Sequence, residues 1–276
     1  MKPELYVFGI EIPTFGLLIA LGVLAFVLVT MKFFRLKGAS EDTIDMLIIV
    51  CALSGGMFAI GASFFDSLWH TITEYKITGT WNFQLYGITY SGGLFTAIIT
   101  YFIAYYFILK YQREKLLYFL DVVVIGLCLA HGFGRIGCFC GGCCYGKVVE
   151  PHSFLAVYYP TEIGKQWVLP TQLFEAVFLF VFAVVLAFVI KKNRTAWYLI
   201  GYNVFRFLLE YLRGDDRGSS PFGFLTPSQF MSIIMLIMGI LIIIFRGKIE
   251  KWLLSKNKPI LVSVNDNIPE EDNDEE

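Results

Sequence analysis

Apolar runs long enough to cross a lipid bilayer recur along the whole chain, and they leave few architectures open. A hydrocarbon core about 30 Å thick takes roughly 20 residues of helix. Runs of about that size occupy residues 14–34, 44–65, 89–109, 118–139, 171–190, 196–212 and 228–245. Inside a bilayer the backbone has no water to bond, so each run is predicted to be a helix. Composition agrees with this reading. Charged residues make up only 16% of the 276, against about 25% in a soluble domain, and the mean hydropathy is +0.65. The first run is longer than the core of a cleaved export signal, and no small-residue cleavage site follows it.

The basic residues are placed with a strong bias. Lys32, Arg35 and Lys37 follow the first run, Lys110, Arg113 and Lys115 the third, and Lys191, Lys192 and Arg194 the fifth. Arg246, Lys248, Lys251, Lys256 and Lys258 follow the seventh. Together these segments hold most of the 22 basic residues. With seven spans they all face one side, and the positive-inside rule makes that side the cytoplasm. The expected fold is an all-α integral membrane protein of seven transmembrane helices, amino terminus outside and carboxyl terminus cytoplasmic. Residues 1–250 form the membrane domain. Residues 251–276 form a cytoplasmic tail, disordered at its acidic end. The longer loops, about 66–88 and 141–170, then lie outside, so function is expected on that face. A net charge of −1 gives no expectation of a nucleic-acid partner.

Polar side chains at bilayer depth are costly, at least about 2.5 to 3.5 kcal/mol per charge on insertion scales, so each needs a reason. His131, Arg135 and Cys138 fall at i, i+4 and i+7, one face of a helix that would persist to Cys138. Glycines at 132, 134, 137, 141, 142 and 146 surround them, permitting turns and close backbone approach. A guanidinium beside such backbone suits a phosphate. The plainer alternative is glycine-mediated helix packing with Arg135 snorkelling to the interface. Asn203, Arg206, Glu210 and Arg213 share a face of the sixth run. Arg206 and Glu210, four residues apart, can neutralise each other as a purely structural pair. Ser91, Gly92 and Gly93 open the third run, and a helix start with two glycines offers N–H groups to an anion. Gln172 and Glu175 open the fifth. Thr226 and Gln229 form a capping box at the seventh, where Gln229 is also placed to reach a head group. In the predicted topology these segments end in one leaflet, as a reader of phospholipid head groups requires.

The same positions carry a resemblance to the prolipoprotein diacylglyceryl transferase family. They are Pro-Thr-Phe-Gly at 13–16, Ser-Gly-Gly at 91–93, Gly-Arg-Ile-Gly at 134–137, Pro-Thr-Gln-Leu-Phe-Glu at 170–175, Arg-x-x-x-Glu-Tyr-Leu-Arg at 206–213 and Ser-Gln at 228–229. The resemblance implies transfer of a diacylglyceryl group from phosphatidylglycerol to the lipobox cysteine of a prolipoprotein, in the bacterial cytoplasmic membrane, with no metal or cofactor. It implies that Arg135 and Arg206 hold the phosphate, that Glu210 pairs with Arg206, and that Gly146 closes the loop. Ser91, Gly92, Gly93, Cys138, Cys143, Gln172, Arg213 and Gln229 are then expected to line the substrate. The family pattern has Asn where Cys138 and Gly141 stand, Glu where Cys143 stands, His where Ser91 stands and commonly Tyr where Phe15 stands. His131 is expected to supply the missing imidazole as general base.

Cysteines at 138, 140, 143 and 144 admit other readings. Cys140-Gly-Gly-Cys143 is a C-x-x-C suited to an outward-facing thiol–disulfide oxidoreductase. The four thiols with His131 are also potential zinc ligands, at tighter spacing than usual structural sites. They are otherwise small polar residues packed in a transferase loop, with or without a disulfide. A relative using phosphatidylglycerol with another acceptor is a further alternative. Cys51 and Cys128, inside apolar runs, are expected to pack as small hydrophobes.

Overall fold

A computed structural model describes residues 4–7, 10–85, 90–161, 164–214 and 225–256. The chain opens with a short antiparallel hairpin, β1 (Glu4–Val7) and β2 (Ile10–Pro13). Helices α1 (Thr14–Leu36), α2 (Glu41–Thr78), α3 (Tyr90–Ile108) and α4 (Leu116–Cys140) follow. A second hairpin, β3 (Val157–Thr161) and β4 (Gly164–Val168), precedes α5 (Thr171–Val184), α6 (Arg194–Leu209) and α7 (Pro227–Leu254). The mostly helical architecture expected from the apolar runs is therefore present, with two small hairpins that the runs do not announce.

Among the described residues, five helical segments are long and apolar enough to cross a membrane: Thr14–Leu36, Glu41–Lys76, Arg113–Cys140, Thr171–Val189 and Ser228–Leu254. Around α3 the apolar stretch is the shorter Phe95–Ile108. α6 has 16 residues, about 24 Å at 1.5 Å per residue, and carries Asn203 and Arg206. One expected loop is corrected. Residues 66–78 continue α2, which reaches 38 residues before Gly79, in the left-handed conformation, caps it. The expected tail beyond residue 256 lies outside the described residues.

α4 is the centre of the assembly, with α1, α5, α6 and α7 all packed against it. Its contact with α1 depends on missing side chains. A Cβ on Gly126 would lie 2.5 Å from Thr30 Oγ1 and 2.8 Å from the Phe26 carbonyl, and one on Gly22 3.1 Å from the Ala130 carbonyl. α2 and α3 pair in the same way. Gly92 lies against Phe65, Gly93 against Phe58 and Gly61 against Thr96, whose hydroxyl donates to the Met57 carbonyl at 2.9 Å. One apolar core joins Phe34, Ile44, Leu47, Tyr105 and Leu109 to Phe119 and Val122. A second joins Ile125 and Cys128 to Leu179, Ala183 and Leu186. Cys128 is thus a core residue, as expected, its thiol donating to the Leu179 carbonyl at 3.2 Å.

The helix ends are tied at both extremes. At one, Asp121 accepts from the Thr195 amide and pairs with Arg246, which also donates to Asn193, all at 2.8 Å. That joins the second turn of α4 and the start of α6 to the C-terminal third of α7. The end of α4 and the starts of α5 and α7 gather at the opposite extreme.

Replacing Gly126 with leucine forces overpacking against α1 and is expected to cost about 1–3 kcal/mol, read as loss of thermal stability in detergent. Gly55→Ala, where an added Cβ meets nothing within 4 Å, is expected to be neutral or slightly stabilising.

Candidate active site

Because α4 stays helical to Cys140, His131 and Arg135 stand one turn apart on one face. Both meet Glu175 of α5. Arg135 Nε lies 3.0 Å and His131 Nε2 3.9 Å from Glu175 Oε1, and the glutamate side chain is 0% exposed. The Tyr202 hydroxyl of α6 donates to the same oxygen at 2.7 Å. His131 Nδ1 lies 3.2 Å from the Tyr198 hydroxyl, and its ring stands edge-on to Tyr202. Three helices thus contribute to one buried carboxylate.

The second expected constellation separates. Asn203 turns back to donate to the Leu199 carbonyl of its own helix at 2.6 Å. Arg206 Nη1 lies 2.8 Å from Glu210 Oε2, with both side chains buried. Glu210 Oε1 also accepts from the Thr226 hydroxyl at 2.9 Å. Thr226 is the N-cap of α7, and Gln229 completes the expected capping box by accepting from the Thr226 amide at 3.1 Å. Pro227 takes the first position of α7, where its missing N–H has no partner to lose, whereas Pro170 sits one residue earlier relative to its helix, as the N-cap of α5. The oxygen of Gln229 is thereby committed to the cap, at the point where α6 is pinned to α7.

The loop after α4 is anchored from several sides. Gly146 bridges Arg213, its amide donating to the Leu169 carbonyl at 2.8 Å, while the Lys147 amide donates to the Leu212 carbonyl at 2.8 Å. A Cβ at Gly146 would lie 2.7 and 2.8 Å from the Leu169 and Leu212 carbonyl oxygens, so this crossing accepts only glycine. Gln172 Nε2 donates to the Cys143 carbonyl at 2.5 Å and to the Tyr159 hydroxyl at 3.2 Å. The Thr171 hydroxyl donates to the Cys144 carbonyl at 3.1 Å. Tyr159, fully buried on β3, donates to the Phe139 carbonyl at 2.9 Å. Burial raises the Tyr159 hydroxyl pKa above its ordinary range.

The cysteines group differently from the C-x-x-C reading. Cys138, Cys143 and Cys144 hold their Sγ atoms within 4.8 Å of one another, and Cys140 is not part of that trio. Hydrogen bonds from Cys138 and then Cys143, with the Arg213 guanidinium nearby, hold the Cys144 thiol below the usual thiol range.

Arg135 thus meets Glu175 and Arg206 meets Glu210 at one end of the bundle, where Arg213 bridges Gly146. A guanidinium has five N–H donors in a fixed fork, so pairing Arg135 through Nε leaves others to face a ligand. Two buried acceptors, Gln172 Oε1 and Glu175 Oε2, have no hydrogen-bond partner among the described residues. Beside them runs an apolar groove lined by Leu173, Phe174, Val177, Phe178 and Phe205, with Val177 well exposed on its wall. Among the expected site residues, His131, Arg135, Cys138, Cys143, Gly146, Gln172, Arg206, Glu210, Arg213 and Gln229 all belong to this linked set. Ser91 is on the first turn of α3, and Gly92 and Gly93 lie in its interface with α2. Sequence reasoning left out Glu175, noting it only as a helix opener. A carboxylate in an apolar run, three residues after Gln172 and on the same face, was the available signal.

Residues 3–245 match the family described as prolipoprotein diacylglyceryl transferase. Phosphatidylglycerol–prolipoprotein diacylglyceryl transferase 2 of Clostridium perfringens is 33% identical over 252 residues, covering 86% of this chain and 91% of that protein. The transferase of Clostridium tetani is 34% identical, covering 88% and 96%. That of Streptococcus uberis is 32% identical, covering 78% and 82%. The site architecture and these matches lead to one conclusion: the chain belongs to the prolipoprotein diacylglyceryl transferase family.

Proposed function

We propose that this protein transfers the diacylglyceryl group of phosphatidylglycerol to the lipobox cysteine of prolipoproteins. The observation that carries the reading is the excess, among the described residues, of Arg135, Arg206 and Arg213 over Glu175 and Glu210, gathered where several helices end. The cysteine sulfur attacks the sp³ carbon of the diacylglyceryl group. A C–S bond forms, the C–O bond to phosphate breaks, and glycerol phosphate leaves with the electron pair. Arg135 and Arg206 stabilise the phosphate charge as it develops, a role for preorganised donors in a water-poor site, and Glu210 holds Arg206 in place. His131 takes the thiol proton, its ring oriented by Tyr198 and by the Glu175 carboxylate. Gln172 Oε1 and Glu175 Oε2 are acceptors for the hydroxyls of the lipid head group. Cys138, Cys143, Gly146, Arg213 and Gln229 frame the substrate, and Ser91, Gly92 and Gly93 flank it from α3. The apolar groove beside α5 seats an acyl chain.

In this reading seven helices span the bacterial cytoplasmic membrane, with the amino terminus outside and the carboxyl terminus, including a tail of residues 251–276, in the cytoplasm. The bias of basic residues supports that orientation. So does the pairing of helix ends. Asp121 and Arg246 lie at the extreme opposite to Arg135 and Arg213.

Purified protein incubated with phosphatidylglycerol and a lipobox peptide is expected to yield a peptide heavier by one diacylglyceryl thioether. Arg135→Gln should slow this by about 10²–10³-fold and His131→Gln by about 10²–10⁴-fold, with insertion and folding retained; undiminished turnover of either variant removes that residue from its role. In a cysteine-free background, a cysteine at Lys165 should react with an impermeant reagent in intact cells, and cysteines at Lys37 and Lys192 only after permeabilisation. Reaction of all three in intact cells refutes the orientation. Glu175→Ala, which strands Arg135 in the interior, is expected to cost about 3–5 kcal/mol of stability, measured by denaturation in detergent.

A further inference from the structure

Three sulfur atoms converge at the end of α4, and none of them takes part in the bond-making or proton transfer of the proposed reaction. The Sγ atoms of Cys138, Cys143 and Cys144 all lie within 4.8 Å of one another. At a zinc–sulfur distance of about 2.3 Å, tetrahedral geometry places ligand sulfurs roughly 3.8 Å apart. The trio needs to contract by no more than about one ångström to meet that spacing.

The convergence is built by the backbone. The Cys143 amide donates to the Cys138 carbonyl at 3.2 Å, closing the loop onto the helix end. Gly142 reverses the chain at φ +81°, and Cys144 holds φ +65°, a left-handed conformation that a side-chain-bearing residue rarely adopts. Strained backbone of this kind persists where its surroundings over-determine it. Here they do, because Gln172 holds the Cys143 carbonyl and Thr171 the Cys144 carbonyl. With the carbonyls turned away to these donors, the three side chains face one another.

Cys143 is exposed, giving an ion a route of entry.

We infer that Cys138, Cys143 and Cys144 bind one thiophilic metal ion of the zinc class, with three protein ligands and a fourth position left for water. Binding forms three metal–sulfur bonds and releases the protons of whichever thiols are not already ionised, so affinity falls as pH falls. The bound ion staples the loop of residues 141–146 to α4 beside Gly146 and Arg213.

The test uses the full chain in detergent, handled under a non-chelating reductant and titrated with cobalt(II). The expected result is a thiolate-to-cobalt charge-transfer band with the intense visible bands of tetrahedral cobalt, saturating at one ion per chain and bleached by zinc. Cys138→Ser, Cys143→Ser and Cys144→Ser should each abolish the spectrum and weaken zinc binding by more than the ~10–100-fold that loss of an outer-shell partner costs. Cys140→Ser and Cys128→Ser should leave it intact. In the unaltered chain, zinc should protect three cysteines from alkylation, counted by mass, which keeps the test valid if a variant fails to fold. A chain with no tetrahedral spectrum overturns the inference, as does a spectrum that survives the three substitutions or requires Cys140. Two of the trio joined as a disulfide after reduction also overturns it. None of these readouts depends on transferase turnover, so either proposal can fail without the other.

Discussion

Glu175 carries a carboxylate into the interior of a helix bundle, where the effective dielectric is far below that of water and an unpaired charge is heavily penalised. Arg135 and His131 from α4 and Tyr202 from α6 surround it. The arrangement is reciprocal, since Arg135 in a membrane-sized helix is costly without a counter-charge. Whatever the arginine does for a ligand, it does from a position set by Glu175, and the relative rotation of α4, α5 and α6 is set by the same contact.

The rest of the site is held by polar contacts at helix tips. Glu210 receives Arg206 from its own helix and Thr226 from the start of α7, so one side chain fixes two helices at once. Gly146 lets the loop after α4 cross between Leu169 and Leu212 at distances that admit no side chain. Gln172 reaches both that loop and Tyr159 of the hairpin. Some of these ties, such as Gln172 to the Cys143 carbonyl, also satisfy backbone groups left open beyond a helix end.

The parts of this fold that follow from local spacing were legible in the sequence. The apolar runs located the helices, the i, i+4 relation of Arg206 and Glu210 anticipated their ion pair, and Thr226 with Gln229 announced a capping box. The parts that depend on which helices touch were not. Nothing in the order of residues says that Arg135 meets Glu175 rather than Glu210, or that Asn203 turns back on its own helix. The extension of α2 through residue 78 was missed because its last turns are polar, and hydropathy marks where a helix enters lipid rather than where it ends. Spacing alone left the cysteine readings open, because left-handed backbone at Gly142 and Cys144 decides that residues 138, 143 and 144 are the ones brought together.

The groove along α5 and α6 opens at the side of the bundle, with Val177 on its exposed wall. A binding surface on a membrane protein's flank changes the thermodynamics of capture. Drawing a lipid tail into water costs about 0.8 kcal/mol per methylene, a prohibitive sum for two long chains. A guest that slides in sideways exchanges one apolar surrounding for another and incurs almost none of that penalty. If the groove seats an acyl chain as proposed, recognition then rests on the polar end alone, and encounter becomes a two-dimensional search within the leaflet.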